Sequence, residues 1–200
     1  MKIGPKYKIA RRLGASVFEK TQTAKFALSA QKKQPKRMKA LSSFGKQLLE
    51  KQKVRFTYTI TEKQMRKYAK EAAVQNPSNT SAALFEKLER RLDTVVLRAG
   101  FAVTRLGARQ MVSHGHVMVN GKKTTIPSYQ VTDKDKITIR PGSMNSGLFV
   151  TLDERLGEQT FKPWISVDKV KKEISLKGVP VYNQVEEAFS LQLVVQYYKR

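Results

Sequence analysis

At Gly115 the apolar residues change from a helical spacing to a two-residue spacing, and this switch limits the folds open to the chain. Before it, residues 104–114 favour a short helix with Thr104 as the N-cap, and Gly115 stands where helices often end in left-handed backbone. After it, the spacing of two places Val117 and Val119 on one strand face and His116, Met118 and Asn120 on the other. Asn120-Gly121 then favours a two-residue hairpin turn. The sequence therefore predicts helices combined with an antiparallel hairpin, an α+β fold.

Three more helices are predicted before this switch. Residues 43–53 carry apolar side chains at helical spacing. A second helix follows Thr61-Glu62-Lys63-Gln64, a capping box in which the threonine hydroxyl accepts a hydrogen bond from the third helical amide, and Asn76-Pro77 ends it. Residues 81–100 are predicted as one long amphipathic helix that stops at its terminal glycine. Its solvent face is predicted to hold Glu86, Lys87, Arg90, Arg91 and Arg98.

The C-terminal third predicts further strands and leaves one segment open. Ile137 and Ile139 mark a strand, and short strands are predicted at residues 164–167 and near Val179. Residues 183–200 fit two patterns, because their apolar side chains recur at helical spacing but also alternate. Both a helix and a strand stay open there.

A strong positive charge restricts the possible partners. The chain has 39 lysine and arginine residues against 16 aspartate and glutamate residues, a formal net charge of +23. Residues 1–56 alone hold 16 basic and two acidic side chains. Such an excess requires a polyanionic partner. We expect residues 1–41 to form an extended basic arm that orders on a phosphate backbone.

The absence of cysteine excludes disulfides and thiolate metal sites. The chain also has no apolar run of the roughly 18 residues that a membrane span needs, and its N-terminus lacks a secretory apolar core. We therefore expect no membrane association.

His114 and His116 are the only histidines, and their spacing raises the question of a metal site. A structural zinc site needs about four ligands and a catalytic one about three. The nearest carboxylates, Asp133 and Asp135, fall in a predicted turn, and the two histidines fall on different elements, so their side chains need not converge. We expect no metal and no cofactor.

The motifs for catalysis are weak. Ser113 lies beside His114, but adjacency in sequence is not a hydrogen-bonded nucleophile and base. The chain has neither a nucleophile elbow nor a phosphate-binding glycine loop. Arg91-Leu92-Asp93 resembles the Arg-Leu-Asp of pseudouridine synthases, whose aspartate is catalytic, but Thr94-Val95-Val96 follows where that motif continues Thr-Ser-Gly. We expect a structural role for Asp93 and no enzymatic activity.

RNA binding fits the helix-to-hairpin stretch better. A helix, a glycine stop and a hairpin would place long or hydrogen-bonding side chains near one edge, where they suit phosphates and 2′-hydroxyls. The alternative is a solvated polar edge, and the net charge of +23 favours RNA. The edge would hold Arg105, Arg109, Gln110, Ser113, His114, His116 and Lys122.

Four stretches, in the same order as in a known family, carry a resemblance over nearly the whole chain. They are GPKYKIARRLG (4–14), LSSFGKQLLEKQKVRFTYTITEKQ (41–64), RRLDTVVLRAGFAVTRLGARQMVSHGHVMVNGKK (90–123) with IPSYQV (126–131), and QLVVQYYKR (192–200). Together they resemble the bacterial or plastid family of small-subunit ribosomal protein S4. Since the resemblance starts at Gly4, we expect no transit peptide.

The resemblance implies a helical domain into which an RNA-binding module is inserted. The implied divisions are a basic arm at 1–41, a helical domain at 42–88 with 184–200, and the module with its following sheet at 89–183. The module would consist of helices packed on a small antiparallel sheet, and the tail would be a helix.

The resemblance also implies RNA contacts, position by position. They fall on the N-terminal motif, on two helices of the helical domain and on the edge of the module, whereas Tyr129 would pack. The implied RNA-binding residues are Lys6, Lys8, Arg11, Arg12, Lys46, Lys51, Gln52, Lys63, Gln64, Arg105, Arg109, Gln110, Ser113, His114, His116, Asn120 and Lys122.

Members of this family bind small-subunit ribosomal RNA early, at a multi-helix junction in the 5′ domain, and nucleate assembly of the subunit body. The resemblance implies this role here, with ribosomal proteins S5 and S3 and messenger RNA as partners and an effect on translational accuracy. It implies a place in the ribosome of the bacterial cytoplasm, or of the plastid stroma, and no homo-oligomer. The alternatives are an RNA-modifying enzyme and a free RNA chaperone or messenger repressor with the same module.

The chain departs from the family at three places. Many members bind zinc through four cysteines near the N-terminus, which this chain lacks, so the resemblance is to the cysteine-free branch. That branch often carries Tyr-Pro-Pro-Gly, where residues 31–39 read QKKQPKRMK. Lys134-Asp135 stands where Gly-Asp is usual, and Asn76-Pro77-Ser78 replaces a linker that contains glycine. We expect the turn before Ile137 to differ.

Overall fold

The computed structural model describes residues 3–32 and 40–199. The chain divides into two compact units, one of residues up to Phe85 together with Tyr182 onwards, and the other of Glu86–Val181. Residues 33–39, which hold most of the departure from the cysteine-free pattern, lie outside the described residues. The division expected from the family stays a prediction.

The N-terminal segment is helical where the sequence predicted an extended arm. α1 (Lys6–Leu13) and α2 (Ala24–Lys32) are joined by short 3-10 turns. The prediction was wrong because dense lysines and arginines hide an apolar stripe at helical spacing. Five buried side chains form a small core against Leu49 and Phe56: Ala10, Leu13, Val17, Phe18 and Phe26.

Three further helices follow in the first unit up to its boundary. α3 (Ser43–Thr57) runs past the predicted end at residue 53, and α4 (Glu62–Gln75) has the predicted cap, with Thr61 Oγ1 accepting from the Gln64 amide at 3.3 Å. α5 spans Thr80–Glu89, and the unit boundary falls inside it.

A break divides the long helix that was predicted over residues 81–100. α5 ends at Glu89, and α6 (Leu92–Arg98) begins after Arg91, which has extended backbone and forms an isolated β-bridge with Gln130. The next two backbone amides donate hydrogen bonds to carbonyl groups of the 127–129 loop. The Arg91 side chain is fully buried, not solvent-facing as predicted. The amphipathic pattern continues across this break, so the local sequence does not predict it. The break is imposed by contacts with the 127–129 loop, which is distant in sequence.

α7 (Arg105–Ser113) leads into a five-stranded antiparallel sheet with the strand order β2-β1-β3-β5-β4. The strands are β1 (Val117–Val119), β2 (Lys122–Lys123), β3 (Ile137–Ile139), β4 (Ile165–Asp168) and β5 (Glu173–Leu176). The α+β prediction is confirmed.

Alternate strand residues face one core with α6, α7 and α8 (Leu152–Glu158). The inward strand side chains are Val117, Val119, Ile137, Ile139, Ile165, Ile174 and Leu176. The strand predicted near Val179 was wrong, because β5 ends at Leu176 and Val179 is exposed.

The C-terminal tail belongs to the first unit and ends in a helix. Of the helix and the strand that its sequence left open, the helix is the one observed. This helix, α9 (Leu191–Tyr198), buries Leu191, Val194 and Val195, which are spaced as one helical face. The helix that the family resemblance favoured is therefore confirmed.

The predicted hairpin turn is confirmed. Asn120 and Gly121 have φ angles of 50° and 76°, the left-handed pair of a type I′ turn, and Val119 pairs with Lys122 across it. Among the described residues, every helix is too short or too polar to cross a membrane.

Candidate nucleic-acid interface

A sharp corner joins α7 to β1 in the second unit. The Thr104 hydroxyl caps α7 by accepting a hydrogen bond from Gly107 N at 3.0 Å, as predicted. The helix ends at Ser113 with His114 as its C-cap, and Gly115 has a φ of 73°, which glycine adopts without steric strain. A side chain at position 115 would also collide with Lys123. The glycine therefore turns the helix directly into the strand.

The polar side chains that the sequence predicted at one edge lie on α7 and on the hairpin. Of the α7 residues, Gln110 and Ser113 are exposed, and Arg105 and Arg109 are half-buried. Lys122 is exposed just after the hairpin turn. The second unit thus presents cationic and hydrogen-bonding groups along one short stretch of helix and hairpin.

The two histidines lie closer together than the sequence indicated, with ring centroids 6.0 Å apart. His114 is exposed, and the half-buried His116 has Nδ1 3.0 Å from Ser143 Oγ. Burial, followed by the nearby charges of His114, Arg140 and Lys123, lowers the pKa of His116. The lowered pKa favours the neutral imidazole ring, which is suited to hydrogen bonding or stacking. Within the described residues, no group of three or more His, Cys, Asp and Glu side chains could hold a metal ion.

Both ends of the Asn120 side-chain amide form hydrogen bonds within the second unit. Its Nδ2 donates to Asp135 Oδ1 at 2.7 Å, and its Oδ1 accepts from the Lys136 amide at 2.9 Å. Asp135 Oδ2 also accepts from the amide and hydroxyl of Thr132 and from the Tyr129 hydroxyl. Burial raises the pKa of Asp135, but these hydrogen bonds outweigh it and hold the pKa below its usual value. The carboxylate thus fixes the turn before β3 to the hairpin.

A groove of about 680 Å³ in the first unit lies between α1 and α3. Its basic lining comes from Lys8, Arg11 and Arg12 of α1, which are exposed and have no partner among the described residues. Gln52 and Arg55 of α3 also line it, and Gln52 Oε1 and Arg55 Nε are buried without hydrogen-bond partners in the described structure. The groove therefore has exposed cations on its α1 side and buried polar atoms on its α3 side.

Two other predicted contacts belong to the helices that form this groove. Lys46, on α3, is exposed. Lys6, on α1, is half-buried, with its ammonium nitrogen 6.0 Å from the centre of the Phe18 ring. Lys46 therefore offers a solvent-facing cation, whereas part of the Lys6 side chain covers the small N-terminal core.

Lys51 is buried and engaged within the first unit. Its Nζ lies 3.0 Å from Glu62 Oε2 and 4.6 Å from the centre of the Tyr197 ring. Glu62 Oε1 also accepts a hydrogen bond from the Tyr198 hydroxyl at 2.8 Å. Burial raises the pKa of Glu62, but the bonds from Tyr198 and Lys51 outweigh it and lower the pKa. This network joins α3, α4 and α9, so Lys51 has a structural role here.

α4 carries a basic face that the sequence analysis recognised only in part. Lys63 is exposed, and Gln64 is half-buried with Oε1 lacking a hydrogen-bond partner in the described structure. Arg66, Lys67 and Lys70 are exposed beside Lys63. Their spacing of three and four residues places them on one helical face, a signal that was present in the sequence.

The Arg91-Leu92-Asp93 motif forms a buried ion pair. Arg91 Nε donates to Asp93 Oδ1 at 2.9 Å, and Nη2 donates to Oδ2. Arg91 is 0% exposed and Asp93 5%. The carboxylate is thus held by the arginine at the break between α5 and α6, which agrees with the expected structural role.

Two family profiles match adjoining parts of the chain. The ribosomal protein S4/S9 N-terminal domain matches residues 1–89, and the S4 domain matches residues 90–137. A small ribosomal subunit protein uS4 from Chlorobium limicola is 42% identical over 197 residues, covering 96% of both chains. The uS4 protein of Roseiflexus castenholzii is 41% identical over 203 residues, covering 99% of this chain and 98% of its own.

Both relatives match over nearly the full length, and the two profiles together cover well over half of the chain. The chain therefore belongs to the ribosomal protein S4 family, whose members are structural components of the small ribosomal subunit and not enzymes.

Proposed function

We propose that this protein binds small-subunit ribosomal RNA through basic faces on both of its units and is held in the subunit as a structural constituent. The observation that carries the proposal is the α1 face, where Lys8, Arg11 and Arg12 are exposed without partners among the described residues. A formal charge of +23 supports the same conclusion. Exposed cations that are not engaged in ion pairs are suited to phosphate groups.

The second unit supplies contacts of a different kind. Arg105, Arg109 and Lys122 suit phosphates, whereas Gln110 and Ser113 suit 2′-hydroxyls and base edges. The RNA-binding role needs no proton transfer and no metal. The corner thus fits the recognition of folded RNA by shape and hydrogen bonding.

The geometry revises the set of proposed contacts at two positions. Lys51 is paired with Glu62, and both ends of the Asn120 amide are bonded within the second unit. We assign these two residues to the fold and keep the remaining predicted residues as RNA contacts. Arg66 and Lys70 join them, because they share the face of Lys63, whereas Lys67 on that face is paired with Glu71.

We also propose the more specific ribosomal role that the family resemblance implies, which is supported by family membership alone. It comprises early binding at a junction in the 5′ domain, nucleation of subunit assembly, contacts with S5, S3 and messenger RNA, and an effect on translational accuracy. The proposed location is the ribosome of a bacterial cytoplasm.

Sedimentation of native ribosomes tests the proposal. Cell extract of the source organism is separated on a gradient before and after a moderate salt wash, and the protein is followed by mass spectrometry. We expect it in the small-subunit fractions in both cases. Its recovery only at the top of the gradient, free of subunits, would contradict the proposal.

A further inference from the structure

A cavity of about 270 Å³ opens beside the helix-to-hairpin corner, within the second unit. Phe101 and Met111 are buried and form part of its apolar lining, and Leu148 lines it while half exposed. Its volume is below the range of about 300–1,000 Å³ that is usual for drug-sized ligands. The cavity therefore suits one small, flat group with an apolar face.

The polar lining of the cavity is planar or hydrogen-bonding. Gln110, His114 and His116 contribute from the corner, and Arg155 contributes from α8. The Arg155 guanidinium is held in place, since Nε donates to the Thr151 carbonyl oxygen at 3.2 Å and Nη2 to that of Leu148 at 3.5 Å. Imidazole rings and guanidinium planes are the groups on which unstacked RNA bases stack.

A glycine inside α7 is explained by the same cavity. Gly107 lowers the helical stability by roughly 1 kcal/mol relative to alanine, yet it lies in the first turn of the helix. It lines the cavity, and a Cβ at this position would lie only 3.1 Å from Thr104 Oγ1. A side chain here would crowd the helix cap and narrow the cavity, so glycine keeps both open.

From this geometry we infer that the cavity receives one unstacked nucleobase of the bound RNA. The inference rests on the proposed RNA-binding function and adds a base-reading site to it. The apolar lining covers the faces of the base, while Gln110, His114 and Arg155 offer hydrogen bonds or stacking planes at its rim. The cavity shares Gln110, His114 and His116 with the proposed RNA edge, so a strand that lies on that edge passes the opening.

Histidine-selective isotope labelling gives a direct test, because the only two histidines of the chain both line the cavity. The full chain is titrated with pentaribonucleotides of adenosine, cytidine or uridine, and with an abasic pentamer of the same charge. We expect base-containing pentamers to shift both histidine signals and the abasic pentamer to leave them in place. Equal shifts with the abasic pentamer would overturn the inference. So would shifts with N-acetyl-phenylalaninamide and none with any pentamer, since the cavity would then take a protein side chain.

Arg155→Lys separates base reading from phosphate binding, because it keeps the charge and removes the planar group. We expect it to weaken binding to a small-subunit ribosomal RNA transcript by about 5- to 150-fold, the range that stacking on one base contributes. The dependence on salt should not change. Arg90→Lys, at a position that pairs with Asp133 and lies outside both the cavity and the proposed RNA contacts, is the matched control and should bind as the wild type does. Wild-type affinity in Arg155→Lys would overturn the inference, whereas a wild-type chain that does not bind the transcript would overturn the proposed function itself.

Discussion

Three carboxylates, of which Asp93 and Asp135 are buried and Glu62 is partly exposed, are bonded to polar residues that serve the fold. Asp93, Asp135 and Glu62 each accept hydrogen bonds from side chains in their own unit. Sequence reasoning identified Asp93 as structural because its motif is incomplete, but it could not find the partners of the other two. Thr132 lies in the same turn as Asp135, but Asn120 and the partners of Glu62 lie on elements that only the tertiary fold brings together. The same limit applies to Lys51 and Asn120, which look like RNA contacts in sequence.

The Arg91–Asp93 pair gives the first prediction. Asp93→Ala leaves the fully buried Arg91 without its carboxylate, so we expect a loss of about 3–5 kcal/mol in the free energy of unfolding. Urea denaturation followed by circular dichroism measures the change. Asp153→Ala removes a surface ion pair with Lys172 and serves as the control, with an expected loss below about 1 kcal/mol. Equal effects of the two variants would contradict the assignment.

Asp135 gives a prediction for the dependence of stability on pH. Hydrogen bonds hold its pKa below the usual value of 3.8 despite burial. Its contribution to stability is therefore complete above that value and is lost as the pH falls through the lowered pKa.

Melting temperatures measured from pH 6 to pH 2 check this expectation. Asp135→Asn should melt at a lower temperature at pH 6 and lose less stability on acidification than the wild type does. Parallel curves for the two proteins would show that the carboxylate is not hydrogen-bonded as described.

Elements with a strong local signal were predicted well, and elements defined by distant contacts were not. The capping box at Thr61, the glycine at 115 and the Asn120-Gly121 turn each specify backbone geometry within a few residues. The break at Arg91 depends on the 127–129 loop, and the helices of the N-terminal segment depend on Leu49 and Phe56 of α3. Composition concealed those helices, because lysine is frequent both in disordered arms and on the solvent face of a helix.

The hairpin turn gives a prediction at the scale of an element. Gly121 has a φ of 76°, and a Cβ there would meet no atom within 4 Å, so Gly121→Ala introduces backbone strain alone. We expect it to reduce the free energy of unfolding by about 1–2 kcal/mol. Gly157→Ala, in α8 and also without a nearby atom, should raise it by about 0.5–1 kcal/mol. Thermal or urea denaturation compares the two, and a neutral Gly121→Ala would contradict the type I′ turn.

At the scale of the whole chain, the sequence predicted the fold class and the family, because both depend on features spread over many residues. An error in predicting one helix or strand changes neither the net charge of +23 nor the order of the four stretches that resemble the family. The cavity beside His114 was not predicted, since its lining combines α7 with residues near 150. The spacing of residues within one helix or strand does not predict a cavity that two distant segments form together.

We propose that defined basic faces, and not the net charge alone, bind ribosomal RNA. The most direct test measures the affinity of the full chain for a small-subunit ribosomal RNA transcript as a function of salt, using wild type and two triple alanine variants. One variant removes Lys8, Arg11 and Arg12, and the other removes the exposed Lys169, Lys171 and Lys177, with the same change in net charge.

We expect the wild-type affinity to fall steeply with salt, with a log–log slope of several units. The α1 variant should lose about 2–3 units of that slope, roughly one for each phosphate contact removed, and the control variant should keep it. Equal losses in the two variants, or wild-type binding that does not respond to salt, would contradict the account.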